Sequence, residues 1–309
     1  MSHSPNFEAF AELAANHDLV PVYRRMLSDG LTPVSAFQKL DDGQDACLFE
    51  SVIGGEKVGR YSILAANPFM IINACGNEVT ISRDGETESR TSDNPLDDLR
   101  QLVDSFKAPQ LEELPPFNGG AIGYAGYDVI RYVENLPNPP ENDRQIPDMT
   151  FGFYDSLVVF DNVNKTMFVI VMAQLDQFQD TQAAYTEAVA RVDQLIKKLA
   201  APAALSMADI DTAGGTDDLS YTSNFEKSEF EAAVNQCVEY IRAGDIFQVV
   251  ISQRLQLDLQ VDPVELYRSL RVVNPSPFMF FLRTSDVTLV GSSPEIMCRV
   301  VDGKVTVRP

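Results

Sequence analysis

A short apolar run near residue 50 ends in side chains that could hold a small charged ligand. Glu50 and Ser51 close the run Leu48-Phe49-Glu50-Ser51, and Lys57 follows shortly after. A carboxylate, a hydroxyl and an amine this close together can bind the two charged ends of an amino acid. Ordinary hydrogen bonding at the protein surface is the simpler interpretation of one such cluster taken alone.

A second segment of defined shape is Asn-Pro-Ser-Pro-Phe-Met at residues 274–279. Each proline fixes its own φ and favours an extended residue before it, so the segment is stiff. Pro277, Phe278 and Met279 could then cover one face of a flat ring, with the thioether as a polarizable contact. A plain connection between a helix and a strand would explain the same residues.

Residues 118–128, Asn-Gly-Gly-Ala-Ile-Gly-Tyr-Ala-Gly-Tyr-Asp, are rich in glycine without matching a phosphate-binding loop. They lack the Gly-Lys-Ser/Thr end of a P-loop and the glycine spacing of a dinucleotide fold. We expect a strand or bend at which two backbones pass closely.

Several catalytic mechanisms are disfavoured by the residues available. The only histidines, His3 and His17, lie near the beginning of the chain, whereas histidine-dependent nucleophiles and metal sites need an imidazole in a cleft. The cysteines have neither zinc-ligand nor redox-pair spacing, so we interpret them as small buried apolar residues. They are Cys47, Cys75, Cys237 and Cys298.

Composition excludes further classes of protein. The 309 residues suffice for two domains with proper cores. With 24 Lys and Arg against 45 Asp and Glu, the net charge of −21 repels nucleic acid and anionic lipid. No apolar run reaches the length of a membrane helix, and the first residues lack a secretory signal pattern. We therefore expect a cytoplasmic protein without nucleic-acid or membrane partners.

The elements that must position these residues can be read from periodicity. Asn94-Pro95 predicts the start of an amphipathic helix, and residues 181–199 predict a long one. Further helices are expected around 230–243, closed by Gly244, and from Asp262-Pro263. Strands are expected at 19–23, 46–49, 61–65 and 70–74, at 151–160 paired tightly with 166–172, at 246–259, at 278–282 and 287–290, and as a hairpin of 298–301 with 304–307.

Hairpins with intervening helices predict an α+β fold rather than a parallel wound sheet. Residues 201–222 lack periodicity and contain Ala-Pro and Gly-Gly, which predicts a linker or surface loop. We expect an N-terminal domain over 1–200 and the start of a second domain over 223–309.

Taken together and in order, these segments resemble the chorismate-utilising enzymes, and within that family the anthranilate synthase component I subunits. The run Ala-Gly-Asp-Ile-Phe-Gln-Val-Val-Ile-Ser-Gln-Arg at 243–254 is the most specific part of the resemblance. The segments that carry the resemblance are 48–51 with 59–62, 119–128, 243–254, 274–279 and 291–295.

The resemblance implies a fold, a reaction and partners. It implies two packed antiparallel β-sheets flanked by helices. It also implies conversion of chorismate and ammonia to anthranilate and pyruvate in tryptophan biosynthesis. Magnesium would hold the substrate, a glutamine amidotransferase subunit (component II) would deliver ammonia, and L-tryptophan would inhibit.

Site residues follow from the same resemblance. Ser51 with Pro277, Phe278 and Met279 would form the tryptophan site, to which we add Glu50 and Lys57. Many relatives have Tyr where this chain has Phe278, which keeps the ring and loses the hydroxyl.

The family's magnesium ligands, catalytic histidine and most chorismate contacts match no residue up to Pro309. We therefore expect an N-terminal piece of a longer enzyme, truncated within its C-terminal part, inactive alone and prone to aggregate.

Other interpretations stay open. A 4-amino-4-deoxychorismate synthase component I would look alike over most of this length, and the residues that separate the two families begin at or just after Pro309. Isochorismate and salicylate synthases fit less well, because they generally lack the Asn-Pro-Ser-Pro segment and the Glu-Ser pair. A non-catalytic tryptophan-binding module is the alternative from a different functional class.

Overall fold

The structure is a computed structural model that describes residues 2–51, 60–202, 209 and 220–307. Its described residues form six α-helices. They are α1 (Phe7–Ala14), α2 (Pro33–Leu40), α3 (Pro95–Asp104), α4 (Thr181–Ala200), α5 (Lys227–Ala243) and α6 (Pro263–Val273).

Local sequence explains where the predicted helices begin and end. Asn94 caps α3 by accepting from the Leu96 N–H at 3.2 Å, with Pro95 as the first helical residue. Gly244 closes α5 with a φ of 85°, a left-handed value that glycine adopts without strain. These predicted helix ends are confirmed.

The described strands run in antiparallel pairs. They are β1 (Leu19–Leu27), β2 (Ala46–Glu50), β3 (Tyr61–Ala66), β4 (Met70–Cys75), β5 (Glu78–Arg83), β6 (Glu86–Thr91), β7 (Gly120–Ala125), β8 (Met149–Tyr154), β9 (Ser156–Asp161), β10 (Thr166–Gln174), β11 (Thr222–Ser223), β12 (Leu255–Gln256), β13 (Phe278–Arg283), β14 (Thr288–Ser293), β15 (Cys298–Val301) and β16 (Lys304–Val307).

Two large sheets build the body of the fold. One has seven strands in the order β1-β10-β9-β3-β2-β13-β14, and the other has five in the order β6-β5-β4-β8-β7. A buried apolar cluster joins them: Cys47, Leu157 and Leu282 of the larger sheet pack with Ile122 and Tyr154 of the smaller one. The predicted α+β fold with two packed antiparallel sheets is confirmed.

The expectation of one continuous strand over 151–160 is wrong. The chain leaves the five-stranded sheet after Tyr154 and enters the seven-stranded sheet at Ser156. The buried Asp155 marks the crossing, where its carboxylate accepts from Arg191 at 2.5 and 3.0 Å and from Gln174 at 2.8 Å. An apolar pattern on both sides of one acidic residue did not reveal the change of sheet.

The long strand expected over 246–259 is also wrong. Only Leu255 and Gln256 pair there, with Thr222 and Ser223. A strand needs a neighbour for its backbone hydrogen bonds, and the described part of the chain supplies only that short partner.

The glycine-rich segment forms β7, and Gly123 explains why glycine is needed there. A Cβ on Gly123 would lie 1.9 Å from the Thr150 carbonyl oxygen and 2.6 Å from the Phe151 Cα of β8. Both are backbone atoms that cannot move aside, so the expected close approach of two backbones is confirmed.

The chain divides into two compact units. One comprises residues 1–207 and 266–309, and the other comprises residues 208–265. The larger unit holds both sheets, including β13 and β14 from the later part of the chain. The smaller unit holds α5 and the β11–β12 ribbon and exposes several apolar side chains, among them Phe247 and Val250.

The domain boundaries predicted near 200 and 223 stay predictions, and most of the predicted linker lies outside the described residues. Among the described residues, we find no helix with the length and apolar character needed to span a bilayer.

Candidate functional site

The two segments singled out by sequence meet as neighbouring strands. In the antiparallel pair of β2 and β13, Glu50 lies opposite Met279 and Phe49 lies opposite Phe280. Ser51 directly follows Glu50, and Phe278 directly precedes Met279. The end of β2 and the start of β13 therefore form one junction, which we call the β2–β13 junction (Glu50, Ser51, Pro277, Phe278 and Met279).

Side chains at this junction divide between the two faces of the sheet, as successive strand residues must. Phe281 of β13 contacts the ring of Tyr267 in α6 and the ring of Phe37 in α2, so this face carries helices. The alternate residue Leu282 faces the core between the two sheets. Glu50 and Met279 share the helix-covered face with Phe281.

Met279 is buried at this junction. Its side chain is 1% exposed, and its sulfur lies 3.4 Å from the Ser276 hydroxyl, which donates to it. Ser276 Oγ also accepts from the Phe278 N–H at 3.3 Å. The thioether thus stabilises the turn that leads into β13, and its contact with a ligand stays a prediction.

Glu50 is buried and already has partners. Its Oε2 accepts from the Tyr267 hydroxyl at 2.8 Å, and its Oε1 accepts from Arg271 Nη2 at 3.1 Å. Arg271 Nε lies 2.8 Å from Oε2, but its N–H is not aimed at that oxygen, so this is an ion-pair contact rather than a hydrogen bond. Burial and the Glu50 charge raise the pKa of Tyr267 far above its ordinary value, so the hydroxyl stays a donor.

Ser51 is the polar side chain left without a partner at the junction. Its Oγ is buried and makes no hydrogen bond with any described residue. A buried hydroxyl without a hydrogen bond costs free energy, about 1–3 kcal/mol in mutational data. A ligand with a polar group placed here would recover that cost.

The proline segment supplies a firm wall next to Ser51. Pro277 and Phe278 are half-buried. Ser292 of β14 donates to the Asn274 carbonyl oxygen at 2.6 Å and so fixes the start of the segment. Lys57, the sixth residue expected at the site, lies outside the described residues.

The arrangement is suited to binding rather than to bond breaking. It offers a hydroxyl, an aromatic ring and a proline face, while its carboxylate is neutralised by Arg271. Over the described ranges of the chain, no three His, Cys, Asp or Glu side chains come together in a group that could hold a metal ion.

Comparison with known proteins identifies the family. The family model of the chorismate binding enzymes matches residues 54–309. The chain belongs to the chorismate-binding enzymes. This confirms the resemblance found in the sequence.

Two curated relatives share one name. Anthranilate synthase component 1 of Acetivibrio thermocellus is 36% identical over 317 residues, covering 99% of this chain and 62% of the relative. The protein of the same name from a Synechocystis strain is 40% identical, covering 99% and 63%. The chain therefore spans a little over three fifths of the length of these relatives.

A solved structure agrees with the fold. The crystal structure of anthranilate synthase component I from Streptococcus pneumoniae is 32% identical with a TM-score of 0.66, and the match covers 91% of this chain and 60% of that one. The chorismate-binding fold of this chain is thus of the anthranilate synthase component I type.

Sequence reasoning missed three residues that shape the junction, namely Tyr267, Arg271 and Ser276. Tyr267 and Arg271 are four residues apart in a predicted helix and so share one face, which was a usable signal. Nothing in the sequence indicated that this face would meet Glu50.

Proposed function

We propose that this chain serves as the large subunit of an anthranilate synthase in tryptophan biosynthesis. The proposed reaction converts chorismate and ammonia to anthranilate and pyruvate, with ammonia supplied from glutamine by an amidotransferase subunit. Membership of the chorismate-binding enzymes and the names of the relatives support this. The net charge of −21 and the cytoplasmic setting expected from the sequence are compatible with it.

We further propose that the β2–β13 junction binds L-tryptophan as a feedback inhibitor. The observation that carries this is the buried Ser51 hydroxyl without a partner among the described residues, set beside the Pro277–Phe278 wall. In this proposal the indole ring lies against the wall and the Ser51 hydroxyl binds one charged end of the amino acid. Glu50 keeps Arg271 as its counter-ion, so it orients the strand end rather than supplying a free negative charge.

The described residues give no support for magnesium binding or for the chemical step of the reaction. No described cluster fits a magnesium site, and we assign no catalytic residue within this chain. That the magnesium ligands and catalytic residues lie beyond residue 309 stays a prediction.

One alternative has an observation in its favour. A non-catalytic tryptophan-binding module would need only the β2–β13 junction, where the buried Ser51 hydroxyl has no hydrogen-bond partner among the described residues. The 4-amino-4-deoxychorismate synthases are the alternative enzymes, because their sequences resemble this chain over most of its length.

Calorimetric titration with L-tryptophan tests the binding proposal. We expect saturable binding to the unmodified chain and much weaker binding of L-alanine, which lacks the ring. A flat titration with L-tryptophan would contradict the proposal.

A second assay separates enzyme from module. With chorismate, Mg²⁺ and an ammonium salt, we expect the 309 residues alone to form no anthranilate above background. Turnover would refute that expectation and would place the catalytic residues within this chain.

A further inference from the structure

The buried carboxylate of Glu50 links the β2–β13 junction to α6. It is 6% exposed, and Tyr267, with no exposed surface, and Arg271 together bind both of its oxygens. Tyr267 and Arg271 lie on one face of α6, and the Tyr267 ring also packs edge-on against Phe281 of β13. The helix therefore touches both strands of the junction.

The bonds between Glu50 and α6 bear on the position of Ser51, the residue that would bind the ligand. Glu50 is the last residue of β2, and Ser51 follows it directly. Backbone pairing with β13 extends to Glu50 and no further on this strand. Because the side-chain bonds to α6 fix Glu50, they also fix where the backbone delivers Ser51.

We propose that Tyr267 and Arg271 are positioning residues of the amino-acid site, acting through Glu50 on the direction of the Ser51 hydroxyl. This rests on the proposed binding of L-tryptophan at the junction. In this proposal Tyr267 and Arg271 do not contact the ligand. They hold the end of β2, and Ser51, which follows it, contacts the ligand. Loosening α6 from Glu50 should weaken ligand binding in a chain that is still folded.

Strand β13 offers a matched control at its far end. Arg283, at the other end of β13, binds Asp41 at 2.5 Å, and both side chains are largely buried. Arg271→Met and Arg283→Met each take a cation from a buried carboxylate, which costs stability in both cases. Only Arg271 lies at the junction, since Arg283 is four residues along β13 from Met279, roughly 13 Å at strand spacing.

The experiment measures the L-tryptophan dissociation constant and the Tm of the full chain for each variant. We expect Arg271→Met to weaken binding about tenfold or more, within the usual range of coupling between sites. Arg283→Met should bind within about twofold of the unmodified chain while losing comparable Tm. Arg271→Lys, which keeps the charge, should restore part of the affinity.

Tyr267→Phe covers the case in which Arg271→Met does not fold. It removes one hydroxyl and keeps the ring against Phe281, and we expect binding about threefold to tenfold weaker. Unchanged affinity in the folded variants, or equal weakening in Arg283→Met, would overturn the positioning role while leaving the site intact. Absence of binding to the unmodified chain would overturn the site itself, and the positioning role with it.

Discussion

Glu50 and Met279 lie directly opposite each other in neighbouring antiparallel strands, and both side chains are buried on the helix-covered face. Their chain neighbours Ser51 and Phe278 are only half-buried. The buried pair of Glu50 and Met279 therefore holds Ser51 and Phe278 close together at the more exposed end of the two strands. The arrangement explains how two segments far apart in sequence can form one binding site.

Removing the Ser51 hydroxyl should weaken ligand binding without weakening the fold. Because Ser51 Oγ has no partner among the described residues, Ser51→Ala should leave the Tm unchanged or raise it slightly. The lost hydrogen bond to L-tryptophan should cost about 1 kcal/mol, or roughly fivefold in affinity. Calorimetry and thermal unfolding measure the two effects.

Ser62→Ala is the control for this prediction. Ser62 is 1% exposed, and its hydroxyl accepts from the Asn162 side chain at 3.1 Å. It should lose Tm and keep its affinity for L-tryptophan. The reverse pattern would show that Ser51 is structural rather than a binding residue.

Gly123→Ala should be among the most damaging single changes in this fold. The new methyl would overlap the backbone of β8 at Thr150 and Phe151, and we expect a loss above about 3 kcal/mol in the free energy of unfolding. Gly30→Ala meets nothing within 4 Å and should change it by less than about 0.5 kcal/mol. Urea unfolding compares them, and equal effects would show that β7 and β8 are not in close contact.

Thiol labelling tests how accessible the cysteines are. The sequence interpretation expected buried cysteines, and among the four only Cys47 is fully buried. Cys47 is buried, and burial raises its pKa to about 12, so it should not react at about pH 8 until the protein unfolds. Cys75 and Cys298 are exposed, contrary to the expectation of buried cysteines, and should react quickly. Fast labelling of Cys47 in the native protein would contradict the seven-stranded sheet, in which β2 is an interior strand.

Asp161 should make the hairpin of β9 and β10 sensitive to acid. Burial raises its pKa, but the bonds from Arg60 and from Asn164 outweigh burial, and the net pKa is about 2, below the ordinary 3.8. A lowered pKa in the folded state stabilises the fold above about pH 4, and this contribution is lost as the pH falls toward about 2. Arg60 is 41% exposed and partly screened, so we expect about 1–2 kcal/mol.

Urea unfolding of Asp161→Asn checks this prediction. The variant should be less stable than the unmodified chain at about pH 6, and the difference should shrink toward about pH 2. Asp29→Asn, at an exposed position, should show no such trend. A difference that stays constant with pH would exclude the ionised Asp161 as its cause.

Local signals predicted the helices well because their causes are local. Asn94 and Pro95 start α3 through contacts within two residues, and Gly244 ends α5 through its own φ. The strand errors have non-local causes. Asp155 divides an apolar run because Arg191, in a later helix, binds its carboxylate, and the residues around 246–254 lack a described neighbour with which to pair.

The candidate site was predictable as a pair of segments but not as a geometry. The family resemblance, which rests on the amino-acid sequence, assigned Ser51 and residues 277–279 to one site, and the β2–β13 pairing brings the two segments together. It did not show that Met279 would point inward or that Glu50 would be neutralised. The pairing of Glu50 depends on α6, whose Tyr267 lies 217 residues from Glu50 in sequence.

A crystal structure of this chain with L-tryptophan would show whether the β2–β13 junction binds the amino acid. We expect the ligand at the β2–β13 junction, with its ring against Pro277 and Phe278 and a polar atom about 2.7–3.0 Å from Ser51 Oγ. A ligand bound elsewhere, with the Ser51 hydroxyl still without a partner, would contradict this expectation.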